Sequence, residues 1–225
     1  MATIREESRT SAHGDPEIMN TKLIVVVGTL LIFLGTISVE AQRLATFNGG
    51  GYYAGGLPGA PIKIEVFSDY ECPACRTFYL ETINKVLNTY SQQNKVSVVY
   101  HDFPLERHKH SREATRYALA ARQLGKDQWT ALSQALYSEQ ALWSASGEID
   151  PIVTRTLSRQ DYATLKRLLL DPAIDQEIER EIALGRSLKV EATPTFFILA
   201  GGRTERVKGG VSYPVLEAYL NRLLQ

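Results

Sequence analysis

The chain holds two cysteines and no more, Cys72 and Cys75, three residues apart within residues 67–76, F-S-D-Y-E-C-P-A-C-R. Two thiols at that spacing lie on one face of a helix. They can close a small disulfide ring and open it again, so the chemistry on offer is two-electron sulfur exchange. A C-x-x-C where a strand runs into a helix is a redox motif. At the helix start Cys72 would face unpaired backbone N–H groups and the positive end of the helix dipole. Both lower a thiol pKa below its ordinary value of about 8.5 and make Cys72 the nucleophile. Cys75, one turn on, is expected to be less exposed and to act as the resolving thiol of a mixed disulfide. Pro73 suits the first helical turn, where its missing N–H removes no bond. A structural bridge or half of a zinc site would use the same residue types. Zinc normally takes four ligands, however, and the four histidines of the chain stand away from the pair in sequence; a ring this short also stabilises little.

The elements that must position the pair lie on either side of it. Ile62, Ile64, Val66 and Phe67 make a buried strand, residues 76–90 an amphipathic helix, and residues 96–100, V-S-V-V-Y, a second strand ending at Asp102-Phe103-Pro104-Leu105. A helical stretch follows. Ala114, Ala118 and Ala121 share a face with Gly125 as C-cap, and Asp127 caps a helix carrying Trp129, Leu132 and Leu136 at core spacing. Asp150-Pro151 and Asp171-Pro172 mark further helix starts, and Ile174, Ile178 and Ile182 form a stripe ending near Gly185. Residues 190–199, V-E-A-T-P-T-F-F-I-L, then put Pro194 at the entrance of an apolar strand, where an X-Pro bond is ordinarily trans. Gly201-Gly202 turns that strand into a hairpin with Glu205-Arg206-Val207-Lys208, and residues 213–224 close as a helix. The alternation of strands and helices argues an α/β fold.

With F-S-D-Y-E-C-P-A-C and T-P-T-F both in place, residues 60–225 resemble the thioredoxin superfamily and, within it, the DsbA-like thiol:disulfide oxidoreductases. The resemblance implies a thioredoxin-like fold with a helical insertion, at about residues 106–188, between its N-terminal and C-terminal halves. It implies Cys72 and Cys75 as catalytic residues and Pro73 and Ala74 as the active-site loop. It also implies a cis Thr193-Pro194 bond facing the cysteines, with Thr193 and Pro194 binding the substrate backbone. No metal and no cofactor beyond the disulfide itself are implied. Departures from the family pattern are specific. Ala74 stands where the family's enteric oxidant has His, which removes one source of an especially low Cys72 pKa and leaves the helix N-terminus. Six residues before the first cysteine, where the family often has a Glu, stands Val66. The acid is Glu65, on the opposite face of the strand by alternation and not assigned that role. Ala192 replaces a common Gly, and Glu71 beside Cys72 adds a small like-charge repulsion.

The N-terminal region bears on where such chemistry would occur. Residues 23–39 are 17 residues without a charge, about 25 Å as a helix, at the short end of what spans a bilayer. The run exceeds a signal h-region, and the preceding residues include Glu6, Glu7, Asp15 and Glu17, which favours an uncleaved transmembrane anchor; Val39-Glu40-Ala41 leaves cleavage after Ala41 open. Lys22 and Arg9 before the segment, against Arg43 after it, predict residues 1–22 as a cytoplasmic tail and the bulk of the chain outside, in an oxidising compartment. Residues 40–59, with glycines at 49–51, 55, 56 and 59, are expected to be a flexible linker; no Gly-Lys-Ser/Thr follows that would make them a phosphate loop. The remaining length, about 165 residues, suits one domain. Lys plus Arg equals Asp plus Glu at 25 each, and no basic stripe points to nucleic acid. The one local cluster, His101 with Arg107-His108-Lys109-His110-Ser111-Arg112, is expected to be a solvated helix start.

Taken with the resemblance, these features predict a membrane-tethered extracytoplasmic oxidoreductase, in the periplasm or at the cell exterior, a bacterial pattern in the family. Its partners would be reduced exported client proteins and a membrane quinone-linked thiol oxidase of the DsbB or vitamin K epoxide reductase type. Rival readings are a disulfide reductase or isomerase, a single-client enzyme such as one of cytochrome maturation, and a peptide-binding chaperone using the Thr193-Pro194 groove.

Overall fold

The computed structural model describes residues 51–225. The tail (1–22), the apolar segment (23–39) and the first part of the expected linker lie outside the described residues. Among the described residues no helix is long and apolar enough to cross a membrane.

Five strands form one sheet in the order β1-β3-β2-β4-β5: β1 Tyr52–Gly55, β2 Ile62–Ser68, β3 Val96–Asp102, β4 Thr195–Ala200 and β5 Arg203–Lys208. β2 and β3 pair in parallel and the other pairs are antiparallel. Helices cover both faces of the parallel pair, which is why β2 and β3 are almost continuously apolar or buried rather than alternating. The edge strand β5 carries Arg203, Glu205, Arg206 and Lys208 instead, charges that discourage further strand pairing.

The helix after β2, α1 (Pro73–Phe78), runs on through a π turn (Tyr79–Ile83), one α turn (Asn84–Val86) and a second π turn (Leu87–Ser91) before the chain enters β3. Between β3 and β4 stand α2 (Ser111–Leu124), α3 (Lys126–Ser138), α4 (Gln140–Ser146), α5 (Asp150–Thr156), α6 (Arg159–Leu168) and α7 (Pro172–Ser187), and α8 (Tyr213–Leu223) ends the fold. This is a thioredoxin-like fold with a helical insertion between β3 and β4. The front of the sheet, Ile62, Ile64 and Val66 with Phe196 and Ile198, is buried against α1, where Phe78 stacks on Phe196 at 5.0 Å. The back face carries Glu65, Phe67, His101 and Phe197, and α7 packs there.

Three sequence expectations change. Residues 52–55 are a strand, not tether: they pair with β3 from Tyr52↔Tyr100 to Gly55↔Val98, and Ala54 is buried. The glycines that suggested a linker serve close approach. At Gly56 (φ +71°) a Cβ would lie 2.3 Å from the Val96 carbonyl oxygen. Asp127 does not cap α3, which begins one residue before it, at Lys126 with Gly125 as N-cap. Asp150 lies inside the first turn of α5 without capping it, and accepts from Tyr117 Oη at 2.8 Å while pairing with Lys166. Asp171 does cap α7, accepting from Ala173 N at 2.9 Å, and that helix passes Gly185 to end at Ser187.

Candidate functional site

β2 delivers the chain to the C-terminal edge of the parallel strands, and the turn Asp69-Tyr70-Glu71 carries it into α1. Cys72 is the N-cap of α1, with extended backbone (φ −74°, ψ 120°), and Pro73 occupies the first turn. A proline there needs no partner for its nitrogen, and its fixed φ starts the helix. The N–H groups of Ala74 and Cys75 are left facing the Cys72 sulfur. The two cysteines are a free dithiol in this structure. Cys75 is the more enclosed, at 1% exposed against 5% for Cys72, while Pro73 and Ala74 are exposed.

The Thr193-Pro194 peptide is cis, and it brings the segment before β4 against the cysteines. The Cys72 thiol donates to Thr193 O at 3.2 Å. The structure therefore brings together Cys72, Cys75, Pro73, Ala74, Thr193 and Pro194, the whole set singled out in the sequence, at one edge of the sheet. Beside them a groove of about 430 Å³ runs from Ala74 and Phe78 along α1 to Val211, Tyr213 and Pro214.

Electrostatics separate the two sulfurs. The hydrogen bond from Cys75 does most to favour the Cys72 thiolate. Burial opposes it, the Thr193 side chain and the backbone N–H groups of Cys75 and Ala74 add to it, and the net brings Cys72 from 9.0 down to about 5. The neutral Ala74 side chain is thus offset by its own backbone. Burial pushes Cys75 well above its ordinary value, and the neighbouring Cys72 adds to that push. Glu71 is turned away from the sulfur, its carboxylate accepting from His110 N at 2.7 Å.

Sequence reasoning missed the residues that hold the turn. Asp69 is fully buried and accepts from Glu71 N, Leu105 N and His108 Nδ1, each at 2.8 Å, and from Ser111 Oγ at 2.5 Å. The cluster is a solvated helix start only in its cations, Arg107, Lys109 and Arg112, which are exposed: His108 and the His110 backbone grip the acids of the redox turn, and His101 is buried on the back of the sheet. The signal was present as acids at 69 and 71 and a cationic run at 107–112, but nothing local joins them. Ser68 Oγ meets Tyr137 Oη at 2.8 Å beneath Cys75. Among the described residues no group of three or more His, Cys, Asp or Glu side chains could hold a metal ion.

A helix N-cap cysteine, a resolving cysteine one turn on and a cis-proline opposite them, on a sheet split by a helical lobe, define a thioredoxin-fold dithiol protein. A family model described as Thioredoxin matches residues 49–207, and the chain belongs to that family. It is 24% identical over 185 residues, 78% of this chain and 85% of the relative, to a protein of Bacillus cereus named probable disulfide bond formation protein D. Among solved structures it is similar to alpha-DsbA2 of Wolbachia pipientis, a thiol-disulfide exchange protein, with TM-score 0.65 and 24% identity over 81% of this chain and 92% of that one. Oxidised BdbD of Bacillus subtilis gives TM-score 0.62 and 20% identity over 75% of this chain and 90% of that one. Within the family the chain is DsbA-like, a protein disulfide oxidoreductase working by thiol-disulfide exchange.

Proposed function

We propose that the chain introduces disulfides into exported proteins, with Cys72 and Cys75 as the catalytic pair and Thr193 and Pro194 holding the client backbone. A client thiolate attacks the Cys72 sulfur of the Cys72–Cys75 disulfide; the ring bond breaks, and Cys75 leaves with the electron pair and takes up a proton. A second client thiolate attacks the client sulfur of the mixed disulfide, the client closes its own disulfide, and Cys72 leaves as a thiolate. The client loses two electrons and the enzyme gains them, with no separate cofactor. The observation that supports this direction is the placement of Cys72 at the α1 N-cap, where the backbone N–H groups of Ala74 and Cys75 meet the departing anion. A stabilised leaving thiolate makes the reduced enzyme favourable and its disulfide oxidising. The groove beside Ala74 offers an apolar wall, Phe78 and Val211, for client side chains flanking the cysteine.

Residues 23–39 would tether the domain to the membrane on its outer side, or release it if the chain is cleaved after Ala41. A membrane quinone-linked oxidase of the DsbB or vitamin K epoxide reductase type would take the two electrons onward. The test is the equilibrium reduction potential of the full chain in glutathione buffers. A value well above about −180 mV is expected; one near −250 mV or below would reverse the direction of flow and make the protein a reductant.

A further inference from the structure

The carbonyl groups of the redox turn have a partner that the exchange chemistry itself does not call for. Gln140 is the first residue of α4, in the insertion, and is 5% exposed. Its Nε2 donates to Tyr70 O at 2.7 Å and to Cys72 O at 3.0 Å. One side-chain amide thus spends both hydrogens on two carbonyls that flank Glu71 on either side. The corner that presents it is itself pinned, since Trp143 Nε1 in α4 donates to Leu136 O in α3 at 2.7 Å. The turn needs outside donors because its own are used elsewhere. Pro73 has none, Glu71 N goes to Asp69, and Cys72 N goes to Asp69 O at 3.2 Å. The Cys72 carbonyl also accepts the first helical bond from Arg76 N at 3.0 Å, so two donors fix its plane.

We propose that Gln140 is a positioning residue for disulfide exchange: by holding the Tyr70 and Cys72 carbonyls, the insertion keeps their negative ends off the Cys72 sulfur and aims the Ala74 and Cys75 N–H groups at it. This rests on the exchange reading of the cysteine pair. An anion gains from dipoles only while they are held in orientation beforehand, and carbonyls free to turn would present the wrong end to it. The insertion therefore does more than cover the site. It sets the redox equilibrium through one amide, while Tyr137 O, accepting from Arg76 Nε at 3.0 Å, and Ser133 Oγ, 2.9 Å from Tyr70 Oη, steady the same turn.

The test is Gln140→Met in the full chain, which keeps length and volume but donates nothing. Two quantities are read: the thiolate titration of Cys72 by ultraviolet absorbance, and the glutathione equilibrium constant, with the melting temperature of the oxidised form as a control on folding. The expected result is a Cys72 titration moved to higher pH and an equilibrium shifted roughly five- to tenfold toward the disulfide, the scale of one lost hydrogen bond. A lower melting temperature with both readings unchanged would make Gln140 merely structural and overturn the proposal. Wild type separates the two ideas: if it does not cycle with glutathione at all, the exchange reading fails first. Should Gln140→Met not fold, the side-chain amide protons of Gln140 in labelled wild type decide. Slow exchange with solvent in both redox states supports the clamp, and fast exchange in either overturns it.

Discussion

The two faces of the central sheet both bury charge, and they hold it by opposite means. On the front, the Cys72 sulfur is met by neutral groups: the Cys75 thiol and two backbone N–H groups favour its thiolate, and as a thiol it donates to the Thr193 carbonyl. On the back, His101 lies between two carboxylates, Nδ1 at 2.7 Å from Glu181 Oε2 and Nε2 at 2.5 Å from Glu65 Oε2, with Lys63 Nζ 2.8 Å from the other Glu65 oxygen. Both carboxylates can only accept, so both ring nitrogens donate and the imidazole is the cation. Burial pulls the His101 pKa down, but the hydrogen bonds and charges of Glu181 and Glu65 outweigh it and raise the value to about 9. The difference follows from what each charge must do. A charge that appears and vanishes in each turnover is held by dipoles, because a buried counter-ion would be stranded whenever the disulfide formed. A permanent charge can be matched by ions, and here the match ties β2, β3 and α7 together, with Gly51 N at the foot of β1 donating to Glu181 Oε1 at 2.8 Å.

Breaking the ionic side gives the largest expected effect. His101→Leu leaves Glu65 and Glu181 facing one another out of water, and removal of one partner from such a group costs about 3–5 kcal/mol. Urea unfolding should show a loss of that size in the oxidised and the reduced protein alike. The thiolate titration of Cys72 should not move, because the groups that set it, the Cys75 thiol and the backbone N–H groups of Cys75 and Ala74, do not include the His101 group. A shifted titration would show that the faces are coupled and that the contrast between them is false.

Acidity sharpens the comparison without any substitution. The native pKa of His101 is raised, so its stabilisation is complete below about pH 6.5 and is lost as pH climbs through about 9. The native pKa of Cys72 is lowered, so in the reduced protein its stabilisation is complete above about pH 9 and is lost as pH falls through about 5. Between pH 6.5 and 9 the two slopes oppose each other, each at most about 1.4 kcal/mol per pH unit. The oxidised protein, lacking a thiolate, should therefore lose stability across that window while the reduced protein stays nearly level. Denaturant midpoints of both forms at pH 6.5, 7.5 and 8.5 check this, and parallel curves would contradict it.

What the sequence disclosed, and what it hid, divides along the same line. The dithiol and β2 to β5 are local patterns, set by residues within a few positions of one another, and they stood where expected; the cis form of Thr193-Pro194 came from the family resemblance, since the local rule for an X-Pro bond is trans. Glu65 was placed on the back face by strand alternation alone, and it is there. Its partner His101 is 36 residues away and Glu181 is 80 beyond that, so neither the pair nor its purpose could be seen. β1 was hidden because glycines signal freedom locally, whereas Gly55 is wanted for close approach to Leu87 and Ser91 and Gly56 for close approach to the Val96 carbonyl, forty residues on. Gln140 gave no signal: one polar residue in a helical run looks solvated until the turn it clamps, 68 residues upstream, is brought to it.

Gly185 provides the smallest and most discriminating test. Within a helix a glycine is weaker than alanine by up to about 1 kcal/mol, so in the last turn of α7, taken alone, Gly185→Ala should stabilise the protein. The back face decides otherwise. A Cβ at that position would lie 2.5 Å from two carbons of the Phe103 ring and 3.2 Å from Phe67 Cδ1, and Phe67 stacks on His101 at 4.5 Å. Neither ring can yield freely, because Phe67 also meets Phe103 and Phe197 edge-on. Overpacking of this kind costs about 1–3 kcal/mol. A net loss of about 1 kcal/mol is therefore expected in the urea midpoint, with an unchanged m-value and an unchanged Cys72 titration. A gain in stability would mean that α7 lies more loosely on the sheet, and that the Glu65–His101–Glu181 group, rather than close packing, is what holds it there.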